Sequence, residues 1–168
     1  MSIKRNQDLL HALLDSWGRS NTILLNLLRV LPDGGLEARA IEESPSVAEM
    51  FTHIHHERMV SVFEEAAEFA GNVPEQEWVA ERDPARTARM LNESARVVRA
   101  AVQGRIEVGR GLDLNFDHPI LLIQFLIFHE AYHHGQMKLA LKLAGCPIRD
   151  DEARPITWAV WRLKHEPG

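Results

Sequence analysis

Two histidines four positions apart, His129 and His133, constrain this chain more than any other feature. They follow its most apolar run, 120–128, in the stretch Phe128-His129-Glu130-Ala131-Tyr132-His133-His134-Gly135-Gln136. No helix breaker occurs in that stretch before Gly135. A helical residue turns about 100° and rises about 1.5 Å, so the two imidazoles lie roughly 40° and about 6 Å apart on one face. That spacing lets two imidazoles reach one metal ion. Leu122, Phe125 and Leu126 before the pair, and Gln136 and Ala140 after it, share the face. The face is therefore expected to point into the core. Burying two imidazoles side by side without a shared partner costs desolvation. A further cluster, His53-Ile54-His55-His56, falls on a second predicted helix.

The length of 168 residues suits a single domain, 1–168, with a real core, and 45% hydrophobic residues mark an ordinary globular composition. A net charge of −5 without a basic block argues against nucleic acid as a partner. Cys146 is the one cysteine, so no internal disulfide forms, and a reducing, cytoplasmic setting is expected. The basic start, Met1 to Arg5, leads into Asp8, His11 and Asp15 at helical spacing, which does not read as a signal peptide. The run 120–128 is too short to span a bilayer, so no membrane association is expected.

Four long helices emerge from the periodicity. The first covers 3–31, with Leu10, Leu14, Trp17, Leu24, Leu28 and Leu31 as its apolar stripe and Asn21 inside that stripe. Pro32-Asp33-Gly34-Gly35 stops it. Ser46 and Glu49 form a capping box that opens the second, which runs to 69. Asp83-Pro84 opens the third, 84–103, and Asp117-His118-Pro119 opens the fourth, which ends at 144 before Gly145. A short C-terminal helix over 156–164 is expected to use Trp158 and Trp161 as anchors. No period-2 strand is found. The fold class is all-α, a four-helix bundle with a short C-terminal helix, in which inward side chains of facing helices build metal sites.

The segment His129 to His133 also matches the HExxH pattern of zinc proteases. The metzincin extension of that pattern requires glycine and histidine where this chain has Gln136 and Leu139. The absence of a strand to hold an extended peptide argues further against a protease.

The chain resembles, over most of its length, the DinB/YfiT-like family of four-helix-bundle metalloenzymes. The resemblance rests on Trp17 with Asn21, on Ser46-Val47-Ala48-Glu49-Met50-Phe51-Thr52-His53-Ile54 as the second-helix entry, and on His129 to Gln136, which is similar to the family's HxxxH-x-GQ signature. It implies His53, His129 and His133 as metal ligands, with His56 as the alternative on the second helix. It implies zinc or nickel, a homodimer, and chemistry on a low-molecular-weight thiol of the S-transferase or maleylpyruvate-isomerase kind.

Three imidazoles leave a coordination position open, the mark of a catalytic rather than a structural ion. Such an ion lowers the pKa of bound water or holds a substrate thiol as thiolate. Glu57, one turn beyond His53, and Glu130 are candidate proton acceptors, Glu130 being read chiefly as an exposed helix-face acid. Gln136 is a candidate to orient a ligand or a bound water. Cys146, just past a helix C-terminus, is read as structural. The leading expectation is a metal- and thiol-dependent transferase acting on a small molecule. The alternatives are a metal-dependent hydrolase of small substrates and a non-catalytic metal-binding stress or interaction protein.

Overall fold

The computed structural model describes residues 2–162, with side chains from residue 7 onward, so the expected helix end at 163–164 and His165 lie outside it. The described residues are all-helical. Four long helices, α1 (Ser2–Arg29), α2 (Val47–Glu65), α3 (Pro84–Glu107) and α4 (Pro119–Leu143), precede two short ones, α5 (Asp150–Ile156) and α6 (Trp158–Arg162). Each of α1 and α2 packs against both α3 and α4, and α5 and α6 lie on α1. No helix among the described residues is long and apolar enough to cross a membrane.

The core has two apolar clusters separated by a polar layer. One holds Leu24, Phe51, Ile54, Leu91, Met137 and Leu141; the other holds Leu14, Trp17, Val62, Val98, Leu122 and Leu126. Each long helix contributes polar side chains between members of the two clusters: Ser20 and Asn21 on α1, Arg58 on α2, Ser94 on α3 and Glu130 on α4. Arg58 is fully buried and Glu130 is 1% exposed. Arg58 Nε donates to Glu130 Oε1 at 2.6 Å, and Nη1 donates to Asn21 Oδ1, the Leu91 carbonyl and Ser94 Oγ. Ser20 Oγ donates to Glu130 Oε2 at 2.9 Å, and the Arg58 guanidinium lies 4.7 Å over the Trp17 ring. Glu130 is thus no exposed helix-face acid. Asn21 is satisfied by side chains, since its amide also donates to Asn92 Oδ1.

Helix starts follow the sequence signals. Ser46 and Glu49 form the reciprocal capping box, Asp83 accepts from the Ala85 amide ahead of Pro84, and His118 Nδ1 accepts from the Ile120 amide. Gly145, at φ 80°, ends α4 as the left-handed glycine of its C-terminus.

Several ends differ from expectation for local reasons. Helix α1 stops at Arg29 rather than 31, because Pro32 disfavours helical geometry at Leu31. Helix α2 stops at Glu65 rather than 69. The Glu65 carbonyl accepts from Asp113 N, and its buried carboxylate takes the amides of Leu114 and Asn115, so the chain leaves the helix into a 3₁₀ turn at Ala67–Phe69. Helix α3 continues through Gly104 to Glu107, because the Phe69 ring tip packs on that glycine. A Cβ at position 104 would come 2.3 Å from Phe69 Cζ. The C-terminal helix begins earlier than expected and is broken at Thr157 (φ −122°, ψ −81°). Its anchors are Ala153 and Val160, while Trp158 and Trp161 stay 65% and 41% exposed.

Because the Arg58 charge has no other carboxylate partner among the described residues, Glu130→Ala should lower stability by about 3–5 kcal/mol, as expected when one member of a buried pair is removed. Glu57→Ala, on the half-buried edge of α2, should change it by less than about 1 kcal/mol. Urea unfolding of both variants checks the contrast.

Candidate metal centre

The polar layer sets the register of α2 against α4. Arg58 is five residues past His53, and Glu130 lies between His129 and His133. Joining Arg58 to Glu130 therefore brings His53 up to the histidine pair. His53 Nε2 lies 3.0 Å from His129 Nε2, and His133 Nε2 lies 3.1 Å from the same atom. The three ligand nitrogens all fall within 4.8 Å of one another. Zinc–nitrogen bonds of about 2.05 Å at the tetrahedral angle would set such nitrogens about 3.3 Å apart. A single ring nitrogen offers one proton or one lone pair, so His129 Nε2 cannot make two good hydrogen bonds to its neighbours. The three histidines fit a shared cation and could hold a metal ion.

Electrostatics prepare the donors. Burial, then the neighbouring His133, His53 and Arg58, push the pKa of His129 down to about 4. Burial, then His53, push that of His133 down to about 4, with Gln136 acting in the opposite sense. Both rings are therefore neutral near pH 7, as metal coordination requires.

The surroundings include groups that helix periodicity does not reach. Glu77 Oε1 stands 2.7 Å from His53 Nδ1, a charge contact off good hydrogen-bond alignment. Trp78 stacks on the His53 ring at 4.0 Å, with the planes 5° apart. Both belong to the α2–α3 connection, which Thr52 holds down: its Oγ1 accepts the Val79 amide at 3.0 Å and donates to the Val79 carbonyl. The sequence signal for this strap is the run Glu75-Gln76-Glu77-Trp78, acidic and aromatic inside a loop. Tyr132 meets His133 edge-on, and Phe125 faces His129 with ring centroids 6.0 Å apart. Phe125 is 38% exposed, so this part of the expected inward face borders solvent. The Nδ1 atoms of His129 and His133 are buried without a hydrogen-bond partner.

The other sequence candidates fall around this centre rather than in it. His56 is half-buried and outside the three-histidine group. His55 is buried, its pKa lowered by desolvation, and its surroundings are the Met90 backbone and Glu93 of α3. Glu57 is half-buried and accepts from Ser61 Oγ at 3.3 Å. Gln136 lies beside His133. Glu130 is engaged by Arg58 and Ser20, so its carboxylate supports the fold. Cys146 is a half-buried free thiol. His134 lies on another flank of α4, and burial, then Lys138, push its pKa down to about 4.

Compared with known proteins, the chain matches no family model, no curated protein and no solved structure.

Two outcomes follow from this geometry. In protein purified without a histidine tag, His129→Ala and His133→Ala should lose most bound metal, whereas His134→Ala should keep it. Glu77→Gln should weaken affinity by about 10–100-fold, because it removes the carboxylate that faces His53 Nδ1. Metal analysis and competition titration read both effects.

The metal-free protein should also lose stability in acid. His129, His133 and His134 titrate near 4 in the fold but at about 6.5 in the unfolded chain. The unfolded state binds more protons between those values, so their contribution is complete above about pH 6.5 and is lost as pH falls toward about 4. Urea midpoints measured across that window should fall with pH, and His134→Ala should flatten the slope.

Proposed function

We propose that this protein is a metal-dependent enzyme of the DinB/YfiT-like type, a four-helix bundle whose three-histidine centre serves transfer chemistry on a low-molecular-weight thiol. The observation that carries the reading is the convergence of His53, His129 and His133 through their Nε2 atoms, with His129 and His133 held neutral. Three protein donors leave a tetrahedral ion one position for a substrate. Zinc or nickel bound there would supply Lewis acidity, so that a coordinating thiol is deprotonated near neutral pH.

The chain's own residues then have definite tasks. Glu77 orients His53 by facing its Nδ1, which leaves Nε2 for the ion. Trp78 covers the His53 ring and shields that side from water. Tyr132 and Phe125 flank His133 and His129 and offer an apolar border to an electrophile.

A thiol nucleophile suits this arrangement better than activated water. Hydrolysis gains from a free general base beside the centre. Glu130 is tied to Arg58, Glu77 faces the outer nitrogen of His53, and Glu57 pairs with Ser61. A thiol that has lost its proton on coordination needs no further base. In the transfer, the sulfur electron pair forms a bond to an electrophilic carbon of the second substrate, and the leaving group departs with the electrons of the bond it breaks.

The test is a conjugation assay with zinc- or nickel-loaded protein, a panel of low-molecular-weight thiols and monochlorobimane, which fluoresces when its carbon–chlorine bond is replaced by carbon–sulfur. Metal-dependent conjugation above the uncatalysed rate, lost in His133→Ala, is the expected result. Thiol-independent hydrolysis of p-nitrophenyl esters without conjugation would replace this reading with the hydrolase. Neither activity in fully loaded protein would leave a metal-binding role without turnover.

A further inference from the structure

A cavity of about 350 Å³ lies on a different flank of α4, between that helix, α1 and the start of α6. None of the three clustered histidines lines it. Its volume is within the range of small-molecule sites.

Four features of its wall call for a ligand. First, Trp158 and Trp161, 65% and 41% exposed, border it together with Ile23 and Ile127. Large aromatic surface left open beside a concave apolar wall marks a binding surface. Second, the His134 ring forms part of the wall, with its Nε2 shielded from solvent behind that surface.

Third, Lys138 reaches the cavity and forms no ion pair among the described residues. The other charge at the wall, Glu130, is already matched by Arg58 and Ser20. The uncompensated charge facing the cavity is therefore positive. Fourth, Gly135 lines the wall in the middle of α4, where glycine costs about 1 kcal/mol relative to alanine. A Cβ there would meet nothing within 4 Å, so no packed neighbour requires the glycine. The missing side chain leaves the cavity open.

We propose that this cavity binds a small aromatic carboxylate. The ring lies against Trp158, Ile23 and Ile127. The carboxylate accepts from the Lys138 ammonium, beside the His134 ring. The site does not depend on the metal centre or on the transferase reading, since none of the three clustered histidines contributes to it.

The test is titration of metal-free full-length protein with 2-naphthoate, followed by tryptophan fluorescence and calorimetry. One-to-one saturation below about 1 mM is expected, a typical range for a small ligand with one charged contact. Lys138→Met should weaken binding by about tenfold or more, and the neutral analogue 2-naphthamide should bind wild type correspondingly worse. His133→Ala should bind as wild type does. Gly135→Leu supplies a better helix former that fills the cavity, so it should abolish binding without lowering the unfolding temperature. No saturation up to about 10 mM overturns the proposal. So does binding that survives both Lys138→Met and Gly135→Leu, or binding that vanishes in His133→Ala.

Discussion

The arrangement of this protein depends on one buried ion pair, Arg58 with Glu130. Both charges are out of water, and neither is tolerable there without the other. Asn21, Ser94 and the Leu91 carbonyl accept from Nη1 of the guanidinium, whose Nη2 is buried without a partner, and Ser20 donates to the carboxylate. The network thus touches all four long helices in one layer, with apolar clusters on either side. Sliding α2 along α4 by one turn would strand two charges as well as disturb the packed core. The same constraint that fixes this register also carries His53 to His129 and His133. The Arg58 charge further disfavours protonation of His129, so the pair that aligns the donors helps to keep one of them neutral.

How much of this was legible in the sequence depends on whether a signal is local. Helix starts were readable because a cap and its amide partners lie within three residues, as at Ser46, Asp83 and His118. The His129–His133 pair was readable because four residues make one turn. Helix ends were harder, since non-local partners decide them. Glu65 leaves α2 to meet residues 113–115, and Gly104 stays helical because Phe69 lies on it. Glu130 was misread for the same reason. A glutamate inside a histidine motif looks like a solvated or reactive acid until its partner, 72 residues earlier, is known. Arg58 itself offered a hint, being a long cation flanked by apolar positions on a helix with a buried side.

Helix α4 divides its duties around its circumference. One flank carries His129 and His133, another carries His134, Gly135 and Lys138, and Glu130 anchors the helix between them. Successive residues point about 100° apart, so neighbouring histidines in the sequence serve different surroundings. That separation explains why a run as short as 129–138 can border both the histidine cluster and the cavity. It also explains why the tryptophans of the C-terminal segment remain open. Val160 and Ala153 do the packing, and Arg19 holds the carbonyl of Val160, so the indoles are free to edge the cavity.

The strap over the three-histidine cluster follows a related economy of position. Thr52 precedes His53 by one residue, and its hydroxyl binds the backbone of Val79. Fixing Val79 fixes Trp78 and Glu77 just before it, one on the face of the His53 ring and the other at its outer nitrogen. A loop attached elsewhere would need its own ordering to find His53. Here the turn of α2 that presents the ligand also holds the groups that orient it, so ligand and support move together if α2 shifts. The outer environment of His53 is therefore a property of the helix rather than of a free loop. For that reason Glu77, a residue with no helical period, stands directly behind His53, against its outer nitrogen.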